Sequence, residues 1–323
     1  MRQLRASVPG LTARPSPPAG AAARELRTPA ADGVTATTAD GVPLHVEIDG
    51  DPQAPVTVVL CHGYLADHDM WLFQRPSLAR SARVVAYDHR GHGRSELGGK
   101  GRLTLDQLGA DLAAVIDQAA PRGPVVLVGH SMGGMAIMSL AEQRPELFGD
   151  RVVGVGLVTT AAAPVNGRAV LPPETANLVL AAIDRLRLTR ISCHVLRHAA
   201  LVAARSFAFA SRVPPALVDF VLQLTRSNPV HALVALIPEF LTLDKRAALP
   251  TLGDAATLVI GAEHDQTIPA GNSAAIAEAI PGSRLTMIPN AGHMVPLEHP
   301  RLVDELLRDL LTRATAGPVR CRD

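Results

Sequence analysis

The stretch that decides the fold is Pro124-Val125-Val126-Leu127-Val128-Gly129-His130-Ser131-Met132-Gly133. A short β-branched run ending in Gly-x-Ser-x-Gly reads as a buried strand turning sharply into a helix, with the serine at the apex. Residues 134–142, Gly-Met-Ala-Ile-Met-Ser-Leu-Ala-Glu, supply that helix. Such a turn strains the backbone at the serine. It leaves room only for glycine at 129 and 133, where a Cβ would collide across the bend. The gain is a serine oxygen held clear of the sheet beside the first N–H groups of a helix, where the charge of a tetrahedral intermediate needs a partner. The plainer alternative for Ser131 is a buried helix N-cap, and the flanking glycines weigh against it.

Working outward, residues 34–38 and 42–48 read as two short strands joined through Asp40-Gly41. Residues 56–61 form a continuous apolar strand ending in His62-Gly63. Another, over 82–87, ends in Asp88-His89-Arg90-Gly91-His92-Gly93-Arg94-Ser95. Residues 103–120 have helical periodicity, with Thr104 as N-cap and Pro121 as stop. A strand over 152–158 follows the elbow helix. This β–α alternation implies parallel strands buried on both faces by helices.

From about residue 164 to 244 the rhythm breaks into four helix-like segments, at 174–188, 194–211, 215–225 and 230–243, with no strand-like run between them. It resumes with a strand at 257–261, a helix at 271–280, a strand at 284–288 and a helix at 302–312. The expected class is α/β, a mostly parallel central sheet of about eight strands with an antiparallel start, helices on both faces and an inserted helical lid. The expected division is a flexible tail over 1–33, a core over 34–163 and 245–314, the lid over 164–244, and a C-terminal tail over 315–323.

The chain has 323 residues, ample for a sizeable core. Its formal charge of +1 and the lack of any like-charge run give no electrostatic case for nucleic acid. Cys61, Cys193 and Cys321 lie far apart, with neither disulfide-framework nor metal-ligand spacing, which points to a reduced, cytoplasmic compartment. Residues 1–32 are rich in Arg, Pro and Ala and lack the apolar core of a secretory signal. No apolar run reaches the ~20 residues of a membrane span. Oligomeric state is not legible.

A serine nucleophile needs a general base, and the base needs a group that fixes its tautomer. In this architecture both sit on loops at the C-terminal ends of later strands, in the order Ser, acid, His. Asp265 lies in Gly261-Ala262-Glu263-His264-Asp265, and His293 lies in Asn290-Ala291-Gly292-His293. Glu263 competes for the acid's place. The earlier strand end, Thr159-Thr160-Ala161-Ala162, offers no carboxylate. His62, His89, His92, His130 and His264 invite a metal hypothesis, but no Cys or carboxylate cluster joins them. The expectation is therefore no metal and no cofactor, with Asp88 and Arg90 tying down their loop and Trp71 serving as a packing anchor.

These motifs together resemble the α/β-hydrolase superfamily, in its capped esterase, lipase and haloperoxidase-like branch. The matching elements are Gly-His-Ser-Met-Gly-Gly at 129–134, His-Gly at 62–63, the Asp88–Ser95 loop, Gly-x-x-x-Asp at 261–265 and Ala-Gly-His at 291–293. The resemblance implies an oxyanion hole from the backbone N–H groups of Met132 and Tyr64, whose side chains would line the acyl pocket. His62 would then orient the oxyanion loop. Epoxide and haloalkane chemistry uses an aspartate nucleophile, where this chain has Ser131. Epoxide opening also draws on lid tyrosines, and the only two here, Tyr64 and Tyr87, lie in the core. Carbon–carbon bond hydrolases more often carry Asn in place of His130.

The expected function is hydrolysis of a small carboxylic ester with an apolar acyl group by Ser131, His293 and Asp265. Carbon–carbon bond cleavage, thioester cleavage, acyl transfer and perhydrolysis on the same residues stay open, as does a non-enzymatic ligand sensor. Phe207, Phe209, Phe220 and Phe240 fit either a lipophilic channel or the lid's own core.

Overall fold

Runs such as Thr57-Val58-Val59-Leu60-Cys61 and Val125-Val126-Leu127-Val128 show no polar alternation, which suits strands covered on both faces. Every residue of both is buried. The computed structural model describes residues 33–99, 103–165, 207–226, 228 and 230–316. Its strands are β1 (Val34–Thr37), β2 (Pro43–Asp49), β3 (Thr57–Cys61), β4 (Arg83–Tyr87), β5 (Val125–His130), β6 (Val152–Val158), β7 (Ala256–Ala262) and β8 (Arg284–Ile288). They form one sheet in the order β1-β2-β4-β3-β5-β6-β7-β8. The β1–β2 and β2–β4 pairings are antiparallel, and all the others are parallel.

The helices are α1 (Gln74–Leu78), α2 (Leu105–Ala119), α3 (Met132–Gln143), α4 (Pro215–Arg226), α5 (Val230–Leu241), α6 (Leu249–Leu252), α7 (Gly271–Ala279), α8 (Val295–Glu298) and α9 (Pro300–Thr315). Alternate strand residues feed opposite layers. Val59, Cys61 and Leu127 pack with α2, α3 and α7, whereas Val58, Leu60 and Val128 pack with α1 and α9. Thr104 caps α2, its Oγ1 accepting the Gln107 N–H at 3.1 Å. Leu105, Leu108, Leu112, Val115, Ile116 and Ala119 form the buried stripe of that helix.

Several boundaries differ from expectation for identifiable reasons. Helix α9 starts at Pro300, whose missing N–H costs nothing in a first turn, and runs to Thr315. Short helices α1, α6 and α8 span no more than five residues each, too few to show a period. Of the four expected helices between β6 and β7, 174–188 lies outside the described residues. For 194–211 only the end is described: Phe207 and Ala208 are helical, and the helix stops there rather than at Ser211. The N–H groups of Ala210 and Ser211 turn instead to the Glu298 carboxylate. The last two appear as α4 and α5.

The chain places β4 on one side of β3 and β5 on the other. The C-terminal ends of strands at such a reversal are the usual ligand position in an open α/β sheet. Among the described residues no helix is long and apolar enough to cross a membrane.

Candidate active site

Ser131 sits between β5 and α3 with φ 52° and ψ −117°. A non-glycine residue held there costs roughly 1–3 kcal/mol. A Cβ on Gly129 would lie 2.5 Å from the Gly133 backbone, and one on Gly133 would strike the Cys61 carbonyl of β3. The elbow is therefore packed backbone against backbone. The Ser131 N–H donates to the Val158 carbonyl at 2.9 Å, and its own carbonyl accepts from the Thr160 hydroxyl at 2.7 Å.

His293 lies past the end of β8, and its Nδ1 is 2.8 Å from Asp265 Oδ2. An ionised carboxylate only accepts, so Nδ1 carries the proton of that bond. The other Asp265 oxygen accepts the N–H groups of Thr267 and Ile268, each at 2.8 Å. Both carboxylate oxygens are thus engaged, and the side chain is fully buried. Glu263 points away, more than half exposed and alongside His264. The acid beside His293 is Asp265. His293 and Ser131 are themselves 9% and 6% exposed.

The loop after β3 closes on the elbow from the other side. A Cβ on Gly63 would come 2.5 Å from His130 Nδ1 and 3.3 Å from the Ser131 Cβ, so only glycine allows this approach. His62 Nε2 accepts the His89 N–H at 2.9 Å, which leaves its Nδ1–H to donate to the Gly63 carbonyl at 2.8 Å. Burial, with the field of His92 added, pushes the His62 pKa down to about 3. A neutral imidazole locked at both nitrogens orients a loop and moves no proton.

Met132 is the first residue of α3, among the first-turn N–H groups that have no intrahelical acceptor. Its side chain joins an apolar cluster with Tyr64, Val165, Leu236, Phe240 and Ile268. The ring of Tyr64 meets that of Phe240 edge to face, with centroids 5.1 Å apart. The phenylalanines therefore divide. Phe240 borders the elbow, while Phe209 and Phe220 pack with Met70 and Trp71 in the opposite layer.

His62, His89 and His92 are in ring contact and embedded in the core. Two other sets of ligand-type atoms converge, His45/Glu47/His68 and Asp67/His68/Asp88. Both rely on His68, whose Nδ1 is 2.7 Å from Asp88 and whose Nε2 is 3.0 Å from Glu47. Burial works against its charge, but the bonds to Asp88 and Glu47 prevail and raise its pKa to about 10. Glu47 is also 2.8 Å from Arg75, so these sets are ion-pair networks. Arg90 likewise ties its loop to Asp111 and Asp40, each at 2.7 Å.

Sequence reasoning passed over Thr159, Thr160 and Glu298. The two threonines carry no carboxylate, yet both hydroxyls bond the site's backbone. Glu298 accepts the Gly292 N–H, one residue before His293, and the N–H groups of Ala210 and Ser211.

Known proteins show the same arrangement of chain. A provisionally named carbamate hydrolase of Stutzerimonas stutzeri (strain A1501) is 26% identical over 276 residues, covering 83% of this chain and 96% of its own. An acetyltransferase component of the acetoin cleaving system of Cupriavidus necator is 32% identical over 258 residues, 78% of this chain. The match spans only 62% of that longer relative. The structure of a thermophilic esterase from Thermogutta terrifontis superposes with a TM-score of 0.71 at 28% identity, covering 88% of this chain and 99% of the esterase. The family model described as alpha/beta hydrolase fold matches residues 56–300, and the chain belongs to that family.

Proposed function

We propose that the protein is a cofactor-free serine hydrolase that cleaves a carboxylic ester with an apolar acyl part. The observation that carries this reading is the Asp265–His293 pair at 2.8 Å, on the loops after β7 and β8, in a chain whose β5 ends in the strained Ser131 elbow. His293 Nε2 takes the Ser131 hydroxyl proton as Oγ attacks the ester carbonyl. The oxygen that becomes negative rests on the N–H groups of Met132 and Tyr64. His293 then protonates the leaving alcohol, and water repeats the sequence to release the acid. Asp265 stays ionised throughout and holds the imidazole tautomer.

The apolar acyl part is supported by the packing of Tyr64, Met132, Leu236 and Phe240 into one apolar cluster beside the elbow. Leu236 and Phe240 come from α5, so α5 covers the acyl side. The esterase and carbamate hydrolase relatives support hydrolysis as the reaction class. A series of p-nitrophenyl esters of increasing acyl length tests both parts. Ser131→Ala is expected to lower kcat by at least ~10⁴-fold. Wild-type turnover in that variant sinks the serine mechanism, and a preference for acetyl over every longer acyl sinks the apolar acyl part.

A further inference from the structure

Thr159 and Thr160 follow the last residue of β6 and take no part in the chemistry above. Both are buried, 1% exposed. The turn they form with Val158 reaches both halves of the site. The Val158 carbonyl accepts the Ser131 N–H at 2.9 Å, and the Thr160 hydroxyl donates to the Ser131 carbonyl at 2.7 Å. The Thr159 hydroxyl donates to the His293 carbonyl at 3.1 Å. The Thr159 N–H bonds the Ile260 carbonyl at 2.8 Å, on the strand that leads to Asp265. One short turn thus holds the serine, the histidine and the strand of the acid.

Thr159 is also a strained residue. Its φ is +41°, a left-handed value that a β-branched side chain rarely adopts. Such outliers persist only where the surroundings over-determine them, and they gather at functional sites. Glycine would take this backbone without penalty but would bring no hydroxyl to His293. His130 supplies a second donor, its Nε2–H bonding the same His293 carbonyl at 2.9 Å. The histidine loop is therefore gripped from the ends of two neighbouring strands, β5 and β6.

We propose that Thr159-Thr160 is the positioning element that fixes Ser131 and His293 relative to each other, an inference that rests on reading Ser131 as nucleophile and His293 as base. Neither threonine touches the substrate or the reacting atoms. Their effect is on distance, since proton transfer needs heavy atoms ~3 Å apart and a ~1 Å misplacement costs ~100-fold in rate.

Steady-state kinetics on one p-nitrophenyl ester tests this with four variants of the full chain. Thr159→Val and Thr160→Val keep shape and remove a hydroxyl, and Thr159→Ser keeps the hydroxyl. Thr159→Gly removes the hydroxyl while relieving φ, so it separates lost activity from lost folding. Expected are losses in kcat of ~10–100-fold in both valine variants and in Thr159→Gly, with KM changed by less than about 3-fold and Thr159→Ser within about 3-fold of wild type. Wild-type kcat in Thr159→Gly overturns the proposal, and so does a Thr159→Ser loss as deep as that of Thr159→Val. Turnover that survives Ser131→Ala overturns the mechanism itself and this proposal with it. Turnover lost in Ser131→Ala but unaltered in Thr159→Gly overturns this proposal alone.

Discussion

At the scale of single residues, Asp265 carries two duties that can be separated. Its Oδ2 accepts from His293 Nδ1, and its Oδ1 accepts from the Thr267 and Ile268 N–H groups. Asparagine keeps an oxygen for the second duty and sets an N–H against the imidazole in the first. Asp265→Asn is therefore expected to fold with nearly unchanged thermal stability and to lose ~10⁴-fold in kcat, because the imidazole is forced into the wrong tautomer. Glu263→Gln is the matched control, expected to leave kcat unchanged. Equal losses in the two variants would contradict the assignment of the acid. In the sequence these acids stand two apart past the same strand; Glu263 is nearer the strand end, and what favours Asp265 is that it precedes Gln266-Thr267-Ile268-Pro269, which opens the next helix. The separation comes from the turn at Thr267 and Ile268, which draws Asp265 inward while Glu263 stays in solvent.

At the scale of elements, the central strands β3, β5 and β6 are legible because their composition is uniformly apolar. Runs such as 152–158 have no alternative but a strand buried on both faces. Helix α2 was legible from its period and from Thr104. The short helices were not, since four or five residues cannot repeat. Nor was the network of Glu47, His68, Asp88 and Arg75, whose members come from separate elements and meet only when the sheet has formed. Helix α8 shows what such an element does. Its Glu298 binds the Gly292 N–H and the N–H groups of Ala210 and Ser211, joining the histidine loop to the segment after Phe207. Glu298→Ala leaves the buried Gly292 N–H, and the part-buried N–H groups of Ala210 and Ser211, without that acceptor, a loss expected to cost about 1–3 kcal/mol in urea unfolding and to lower kcat through the His293 loop. Unfolding at the wild-type midpoint would show that the carboxylate is not the joint.

At the scale of the molecule, the buried histidines set how stability depends on pH. Burial pushes His62, His89, His92 and His130 below the ordinary 6.5, and each is held neutral. Their folded pKa lies under the unfolded one, so unfolding takes up protons in acid. The contribution of each is whole above ~6.5 and lost as pH falls, at up to about 1.4 kcal/mol per pH unit. His68 runs the other way. Raised to about 10, it contributes fully below ~6.5 and fades as pH rises towards its folded value. Four groups against one predict a stability maximum near pH ~6.5–7, a steep acid limb and a shallow alkaline one, measurable by urea unfolding across pH. Flat stability between pH 5 and 7 would contradict this account of the core.

The same molecule is held to be a catalyst through one oxygen, Ser131 Oγ. A fluorophosphonate probe with intact-protein and peptide mass spectrometry reads that claim directly. The prediction is one adduct per chain, located on the peptide carrying Ser131 and absent from Ser131→Ala. An unlabelled wild-type protein, or an adduct that survives in Ser131→Ala, would contradict it.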